Sequence, residues 1–241
     1  VAGLAVDILV LGLLPYIERM FRVTTAMSLL ELSDMNHPLL RRMAQDAPGT
    51  FNHSLQVATM AEAAAEAVGA NGLLARVGAY YHDIGKINKP MYFVENQGGG
   101  PNKHSKLSPA MSLLVIVGHV KDGVEMAREY GLPPVLHPFI QTHHGTTLVE
   151  YFYHAAKQRN DPDEPNELDY RYPGPKPRTK ESAILMVCDT VESATRAMSD
   201  PAPSRIEQLV EKLSTKRLMD GQFDECDLTL GELKRIEAAV S

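Results

Sequence analysis

Residues 79–86 read AYYHDIGK, where an apolar pattern of helical spacing stops at a histidine and an aspartate. The spacing of the preceding apolar residues predicts a helix over residues 71–83. Adjacent side chains on a helix diverge by about 100°, so His82 and Asp83 reach one small ion together only over the helix end. A carboxylate beside an imidazole is able to bridge two ions through its two oxygens. Because most lone His-Asp pairs are packing residues, this pair needs support from the rest of the chain.

Helical spacing continues on both sides of this stretch, and strand alternation is nearly absent. Thr229 followed by Glu232 is typical of a capping box at a helix start. Two segments rich in Pro, Gly and charge, 88–106 and 159–178, are predicted to be long loops. The sequence therefore predicts an all-α fold, with helices over 28–43 (broken around 34–38), 52–68, 71–83, 108–120, 121–130, 134–144, 148–158, 179–198, 205–218 and 230–240.

The composition limits the class of protein. With 241 residues and 44% hydrophobic content, the chain has enough apolar material for one sizeable core. A formal charge of −6 argues against a broad basic surface for a nucleic-acid polymer, although a small anion would still fit a local positive pocket. The two cysteines cannot form a disulfide framework, which agrees with a reducing compartment.

The first residues have a composition of their own. Residues 1–14 are apolar apart from Asp7, but a membrane span needs about 18 to 20 such residues. Two interpretations remain, the end of a transmembrane helix or an amphipathic core helix. Arg19 and Arg22, directly after the apolar run, favour the first, because cytoplasmic exits are rich in positive charge. Residues 1–27 are therefore predicted to be the end of a transmembrane helix or a juxtamembrane linker.

Further residues suggest a metal site. His143 and His144 form a second doublet at the end of a predicted helix, and imidazole combined with carboxylate suits transition metals. Asp189 directly follows the apolar run ILMVC, where an ionised carboxylate is costly unless it is paired or bound to a cation. His53 and His119 lie in other predicted helices, and each alone has an ordinary interpretation as a capping or packing histidine.

In their order and spacing these residues resemble the HD-domain metal-dependent phosphohydrolases. The strings YYHDIGKINKPMYFVENQ, HVKDGVEMAREYGLP, HHGTTLVEYFYHAAK and YRYPGPKPRTKESAI are similar to the seven-transmembrane HD phosphodiesterases of the PgpH type. The resemblance covers residues 28–198. It implies an HD-domain helical bundle over 28–200 with a metal site in its core, followed by a C-terminal helical extension over 201–241. It further implies the cytoplasmic domain of a bacterial inner-membrane protein.

The resemblance also implies a chemistry, the hydrolysis of cyclic di-AMP to linear pApA by a hydroxide activated between two divalent metal ions. Asp83 would be the catalytic bridge, and Lys86 would be the catalytic lysine that holds phosphate oxygens. Manganese or iron suits the donor set best, although ligand type leaves zinc, nickel and cobalt open. One ion would be held by His53, His82, Asp83 and Asp189, the other by Asp83, His119, His143 and His144, and the pocket would be lined by Lys86, Tyr92, Asn96, Thr146, Tyr172 and Lys176.

Several alternatives remain open at this point. HD-GYP phosphodiesterases share HDIGK, but they follow the His pair with Glu and later carry Gly-Tyr-Pro, whereas this chain has Gly145 and the string RYP. Cyclic di-GMP is therefore a less favoured substrate. An HD nucleotidohydrolase acting on guanosine tetraphosphate or deoxynucleotides, and a non-catalytic dinucleotide sensor, are the other interpretations. The native metal and the oligomeric state are not determined by the sequence.

Overall fold

The computed structural model describes residues 23–99, 102–158 and 164–241, together with residues 3, 12, 13 and 20. Most of the segment 1–27, which was predicted to end a transmembrane helix, lies outside these described residues. Within the described part of the chain, every helix is too short or too polar to cross a membrane.

The regular elements of the described residues are all helical, which confirms the all-α prediction. Short 3-10 turns connect some of them, and an isolated bridge joins Leu148 to Arg171. The helices, numbered over the described residues, are α1 (Ala26–Leu32), α2 (Pro38–Asp46), α3 (Pro48–Ala67), α4 (Gly72–Tyr81), α5 (Pro109–Glu129), α6 (His137–Thr142), α7 (Glu150–Lys157), α8 (Lys180–Arg196), α9 (Pro203–Met219) and α10 (Leu230–Val240).

The core lies where α3 meets α4 and α8. Small side chains such as Ala61 on α3 and Ala79 on α4 are fully buried, which lets these helices approach closely. The run Ile184 to Cys188 on α8 is also buried, and Cys188 is a free thiol within it. This packing fixes the three helices against one another.

Helix α4 ends at Tyr81, and the chain continues into a 3-10 turn over Ile84–Asn88 that packs against α5. Gly85 makes this contact possible, because a Cβ added there would lie 1.9 Å from the carbonyl oxygen of His119. Any side chain at this position would separate the turn from α5. The glycine of the HDIGK string therefore holds the end of α4 close to the middle of α5.

Helix α5 differs from its prediction. Ser108 caps its start, accepting from the Met111 amide at 3.2 Å. The prediction of two helices meeting at residues 120–121 is wrong, since one helix continues to Glu129. The composition becomes polar at Lys121 because that face is exposed, whereas Val124 and Ala127 continue the buried face. The polar residues from Lys121 mark a change of exposure along one helix and not a helix boundary.

The last two helices pack onto the rest of the molecule. The capping box of Thr229 and Glu232 is present at the start of α10. Val210 of α9 and Ile236 of α10 are fully buried in the same core cluster as α3 and α8. The domain boundary at residue 200 stays a prediction, but the segment beyond it shares the core of the segment before it.

Candidate metal centre

The predicted ligands come from five separate helices and meet at one place. His53 lies in α3, His119 in α5 and Asp189 in α8, while the two doublets directly follow the ends of α4 and α6. All of these side chains are at least nine-tenths buried except that of His144, which is 22% exposed. Three helices and the ends of two others therefore converge on a cluster of buried imidazoles and carboxylates.

The cluster consists of two groups, in each of which one donor atom per residue lies within 4.8 Å of every other. Asp83 belongs to both groups. The groups coincide with the two ligand sets implied by the sequence resemblance. Their members are His53, His82, Asp83 and Asp189 in the first group, and Asp83, His119, His143 and His144 in the second.

The carboxylate of Asp83 directs one oxygen to each group. Its Oδ1 lies 3.3 Å from Nε2 of His119 and 3.4 Å from Nε2 of His143. Its Oδ2 lies 3.3 Å from Nε2 of His82 and 3.7 Å from Nε2 of His53. A carboxylate placed in this way is able to bind two cations, one through each oxygen.

Three of the imidazoles are oriented by their own helices. Nδ1 of His82, His119 and His143 each lies by the carbonyl oxygen three residues earlier, at 2.7, 2.5 and 2.9 Å, respectively. A carbonyl oxygen only accepts, so each Nδ1 carries the proton and donates. Nε2 is then the atom left to face the centre, as in histidines that bind a metal.

His53 is oriented differently. Its Nδ1 contacts the carboxylate of Glu192, which is buried on α8 one turn beyond Asp189. Arg196 lies 3.5 Å from the same carboxylate. Glu192 is not among the residues predicted from the sequence. Its spacing of three residues from Asp189, which places both side chains on one face of an apolar helix, is the signal that could have identified it.

The donor atoms fit a divalent cation. Nε2 of His53, Nε2 of His82 and both oxygens of Asp83 are buried without a partner of hydrogen-bond geometry. Such buried polar atoms are costly unless something binds them. In addition, Nε2 of His119 and Nε2 of His143 lie 3.0 Å apart, and two acceptors this close repel unless a proton or cation lies between them. Nitrogen and oxygen donors in this mixture suit transition-metal ions.

The electrostatics of the cluster favour charged carboxylates. Burial by itself would raise the pKa of Asp83, but the charges of Lys86 and His82 hold the pKa well below its usual range. Asp189 is likewise buried, and the neighbouring imidazoles of His53 and His82 keep its pKa well below the usual value. Burial would lower the pKa of His82, yet Asp83 and Asp189 raise it to about 10. The centre thus presents ionised oxygens to a cation.

Lys86 lies against this centre rather than in solvent. Its Nζ is 2.6 Å from Oδ2 of Asp83, at an angle that does not form a hydrogen bond, and it donates to Oε1 of Glu95 at 2.8 Å. Glu95 also accepts from the Thr50 hydroxyl at 3.2 Å. The role of Lys86 as a phosphate-binding residue stays a prediction, and the contacts show that two carboxylates hold its ammonium group.

The other predicted pocket residues have different neighbours. Tyr172 stacks on His144, with ring centroids 4.3 Å apart. Asn96 forms two hydrogen bonds with Thr50, which attach its loop to α3. Their roles in substrate binding stay predictions. Of the other predicted pocket residues, Thr146 forms hydrogen bonds with Gln222, Tyr92 packs against His104, and Lys176 forms an ion pair with Asp224.

Comparisons with known proteins bear on this site. The HD domain family model matches residues 50–194. The chain is 52% identical over 236 residues to a Bacillus subtilis protein named cyclic-di-AMP phosphodiesterase PgpH, covering 98% of this chain and 33% of that protein. It therefore spans about a third of the length of this curated relative.

Two solved structures are also similar. The L. monocytogenes phosphodiesterase PgpH HD domain is 47% identical with a TM-score of 0.81, covering 85% of this chain and 96% of that one. The same domain in complex with cyclic-di-AMP is 48% identical with a TM-score of 0.82, covering 86% and 96%. Because the family model matches more than half of the chain and a PgpH HD domain aligns almost completely, this chain belongs to the HD-domain family, and within it to the PgpH type.

Proposed function

We propose that this chain is a phosphodiesterase that hydrolyses cyclic di-AMP to the linear dinucleotide pApA with two divalent ions. The observation that carries the proposal is the carboxylate of Asp83, which directs one oxygen to each of two four-residue groups of donors. Two ions held side by side suit the displacement of an oxygen at phosphorus.

The two groups of donors would each hold one ion, manganese or iron by the preference of mixed imidazole and carboxylate donors. Divalent ions bound there supply an activated water and stabilise the negative charge that develops on the phosphodiester. The residues of the chain supply orientation. The helix carbonyls hold the Nδ1 protons of His82, His119 and His143, so their Nε2 atoms stay directed at the centre.

An anionic substrate fits this centre in spite of the acidic chain. Two divalent ions carry four positive charges, and Asp83 and Asp189 are the only carboxylates in the two donor groups. The centre therefore stays positive where a phosphodiester would approach. Lys86 adds a further positive charge, which Glu95 offsets.

The preference for adenine is supported by the named relatives. The B. subtilis relative is named for cyclic di-AMP, and the solved relative from L. monocytogenes contains that ligand. In this chain Gly145 follows the histidine pair, where HD-GYP proteins have Glu. A pocket that hydrogen-bonds the adenine amino group leaves partners unpaired against guanine, at about 1 to 3 kcal/mol per group.

We further propose that the chain is the cytoplasmic part of a bacterial inner-membrane protein. The support is the apolar stretch of residues 1–14 followed by Arg19 and Arg22, together with a curated relative about three times as long. Fractionation of the full-length protein, with protease added from either side of the membrane, tests this location.

The test of the activity is a comparison of kcat/KM for cyclic di-AMP and cyclic di-GMP with manganese supplied, with products separated by chromatography. We expect cyclic di-AMP to be preferred by about five- to 150-fold, as follows from one unpaired group. Protein stripped of metal by a chelator is the control and should be inactive. Equal kcat/KM for both dinucleotides would refute the adenine preference, and absence of turnover with both would refute the proposed phosphodiesterase activity.

A further inference from the structure

A cation from α9 lies beside the candidate metal centre. Nε and Nη2 of Arg217 lie 3.4 and 3.3 Å from the hydroxyl oxygen of Thr190, which directly follows Asp189. That hydroxyl donates to the carbonyl of Met186 at 2.8 Å, so it accepts from the guanidinium. Arg217 lies beyond residue 194, where the match to the family model ends.

The charge of Arg217 lacks a counterion among the described residues. None of their carboxylates lies within ion-pair distance of its guanidinium, whereas the nearby Arg171 is paired with both Glu167 and Asp220. Burial lowers the pKa of Arg217, although the charges of Asp189 and Asp220 act in the opposite direction. A guanidinium stays charged throughout the working pH range, so this partly buried charge is costly without an anion.

One donor of this guanidinium is available to a ligand. Nε and Nη2 are directed to Thr190, but Nη1 makes no hydrogen bond within the described part of the chain, and it keeps contact with solvent. A planar fork with a free edge is the geometry by which arginine binds phosphate oxygens. The side chain is thus fixed on one edge and open on the other.

The metal centre is most open to solvent at His144. His144 is the most exposed donor, and the ring of Tyr172 stacks on it. Arg217 contacts Thr190, the residue after Asp189, and its positive charge interacts with both Asp189 and Tyr172. A phosphodiester that reaches the centre past His144 and Tyr172 would meet the free edge of Arg217.

We propose that Arg217 binds phosphate oxygens of the dinucleotide beside the metal centre, so that the segment after residue 200 completes the substrate site. This deepens the proposed function and rests on it. The ligand is identified by its chemistry, as an anion whose oxygens match a guanidinium fork next to a cationic centre. Arg217 would then bind substrate and take no part in holding the metals.

The experiment measures binding and turnover in the manganese-loaded protein with Arg217→Gln and Arg217→Lys. The matched control is Arg205→Gln on the same helix, because Arg205 is exposed and pairs with Asp200. Loss of a charge-assisted hydrogen bond should weaken cyclic di-AMP binding about 10- to 100-fold in Arg217→Gln, mainly through KM. Arg217→Lys should keep part of the affinity, since it keeps the charge and loses the fork. Metal content and helical circular dichroism should stay as in the control.

Titration of the loaded proteins with inorganic phosphate separates this proposal from the proposed function. Weaker phosphate binding in Arg217→Gln than in Arg205→Gln supports the assignment even if cyclic di-AMP is not turned over. Unchanged binding of both phosphate and dinucleotide in Arg217→Gln would overturn it. Loss of metal together with affinity, in both Arg217→Gln and Arg217→Lys, would also overturn it, because Arg217 would then be a structural residue.

Discussion

The two groups of donors that share Asp83 differ in charge and in exposure. The first group has two carboxylates, and its donor side chains are at most 8% exposed. Its histidine on α3 is further backed by the carboxylate of Glu192. The second group has three imidazoles and a single carboxylate, and His144 is 22% exposed.

Because of this difference, we expect the ions in the two groups to have separate roles. The carboxylates of the first group would offset the charge of a divalent ion, and burial would keep this ion from solvent. Both conditions suit an ion that stays bound permanently. An ion in the second group would keep more of its charge and would lie nearer to the open side. The substrate phosphate is therefore expected to approach from the second group, where Tyr172 stacks on His144.

Asp83→Ala should have the largest effect, because it removes the one carboxylate that faces both groups. We expect both ions to be lost and turnover to fall at least about 1000-fold, beyond the 10- to 100-fold typical of residues behind the ligands. Metal analysis and single-turnover hydrolysis on purified protein measure both effects. Near-normal hydrolysis with two bound ions would remove Asp83 from its bridging position.

Asp189→Asn should affect only the first group. The amide is nearly isosteric but uncharged, so we expect about a 100-fold loss of affinity for one ion, with helical content unchanged. His144→Gln is the matched change in the second group and should spare the ion of the first. Metal content per chain, measured beside circular dichroism, separates the two. Collapse of the helices in Asp189→Asn with full metal retention would show a structural role instead.

Much of the site could be predicted from the sequence, because its signals are local. His82 and His143 each open a polar pair at the end of an apolar helix, and Asp189 directly follows an apolar run. Such placements are costly unless something binds the side chain, and this cost is visible without a structure. The order of these signals along the chain also identified the family.

The rest depended on tertiary contacts. Glu192 matters because α8 places it against Nδ1 of a histidine 139 residues away, and such a contact leaves little trace in local sequence. Arg217 lies in a segment beyond the resemblance and contacts Thr190, next to Asp189, only through the packing of α9 on α8. The boundary wrongly predicted at residue 120 has the same origin, since exposure of Lys121 depends on neighbouring helices.

Glu192→Gln should have a smaller effect than either aspartate change. The amide oxygen still accepts from Nδ1 of His53, but the negative charge that strengthens this histidine as a ligand is lost. We expect about a tenfold loss of affinity for the ion of the first group, at the lower end for residues behind a ligand. Arg196→Ala, which removes the other partner of the carboxylate, is the control. Competition titration with a metal-binding dye measures the affinities, and unchanged affinity in Glu192→Gln would place Glu192 outside the metal site.

The smallest predicted effect is the release of protons when a metal ion binds, and it should differ between the two groups. In the metal-free protein Asp83 and Asp189 raise the pKa of His82 to about 10, so this imidazole is charged at neutral pH. Burial lowers the pKa of His143 and of His144, so these imidazoles are already neutral. An imidazole must be neutral to bind a metal, so an ion entering the first group displaces the proton of His82, whereas His143 and His144 have no such proton to release. The affinity for the first ion should therefore rise about tenfold per pH unit from neutral pH towards 10.

In the metal-free protein the raised pKa of His82 stabilises the fold below the unfolded pKa of about 6.5, and this contribution is lost as the pH rises through about 10. Calorimetry in two buffers of different ionisation enthalpy counts the protons, and the release should shrink in Asp189→Asn because one of the charges that raise the pKa of His82 is gone. Equal release for both ions would contradict the difference between the groups.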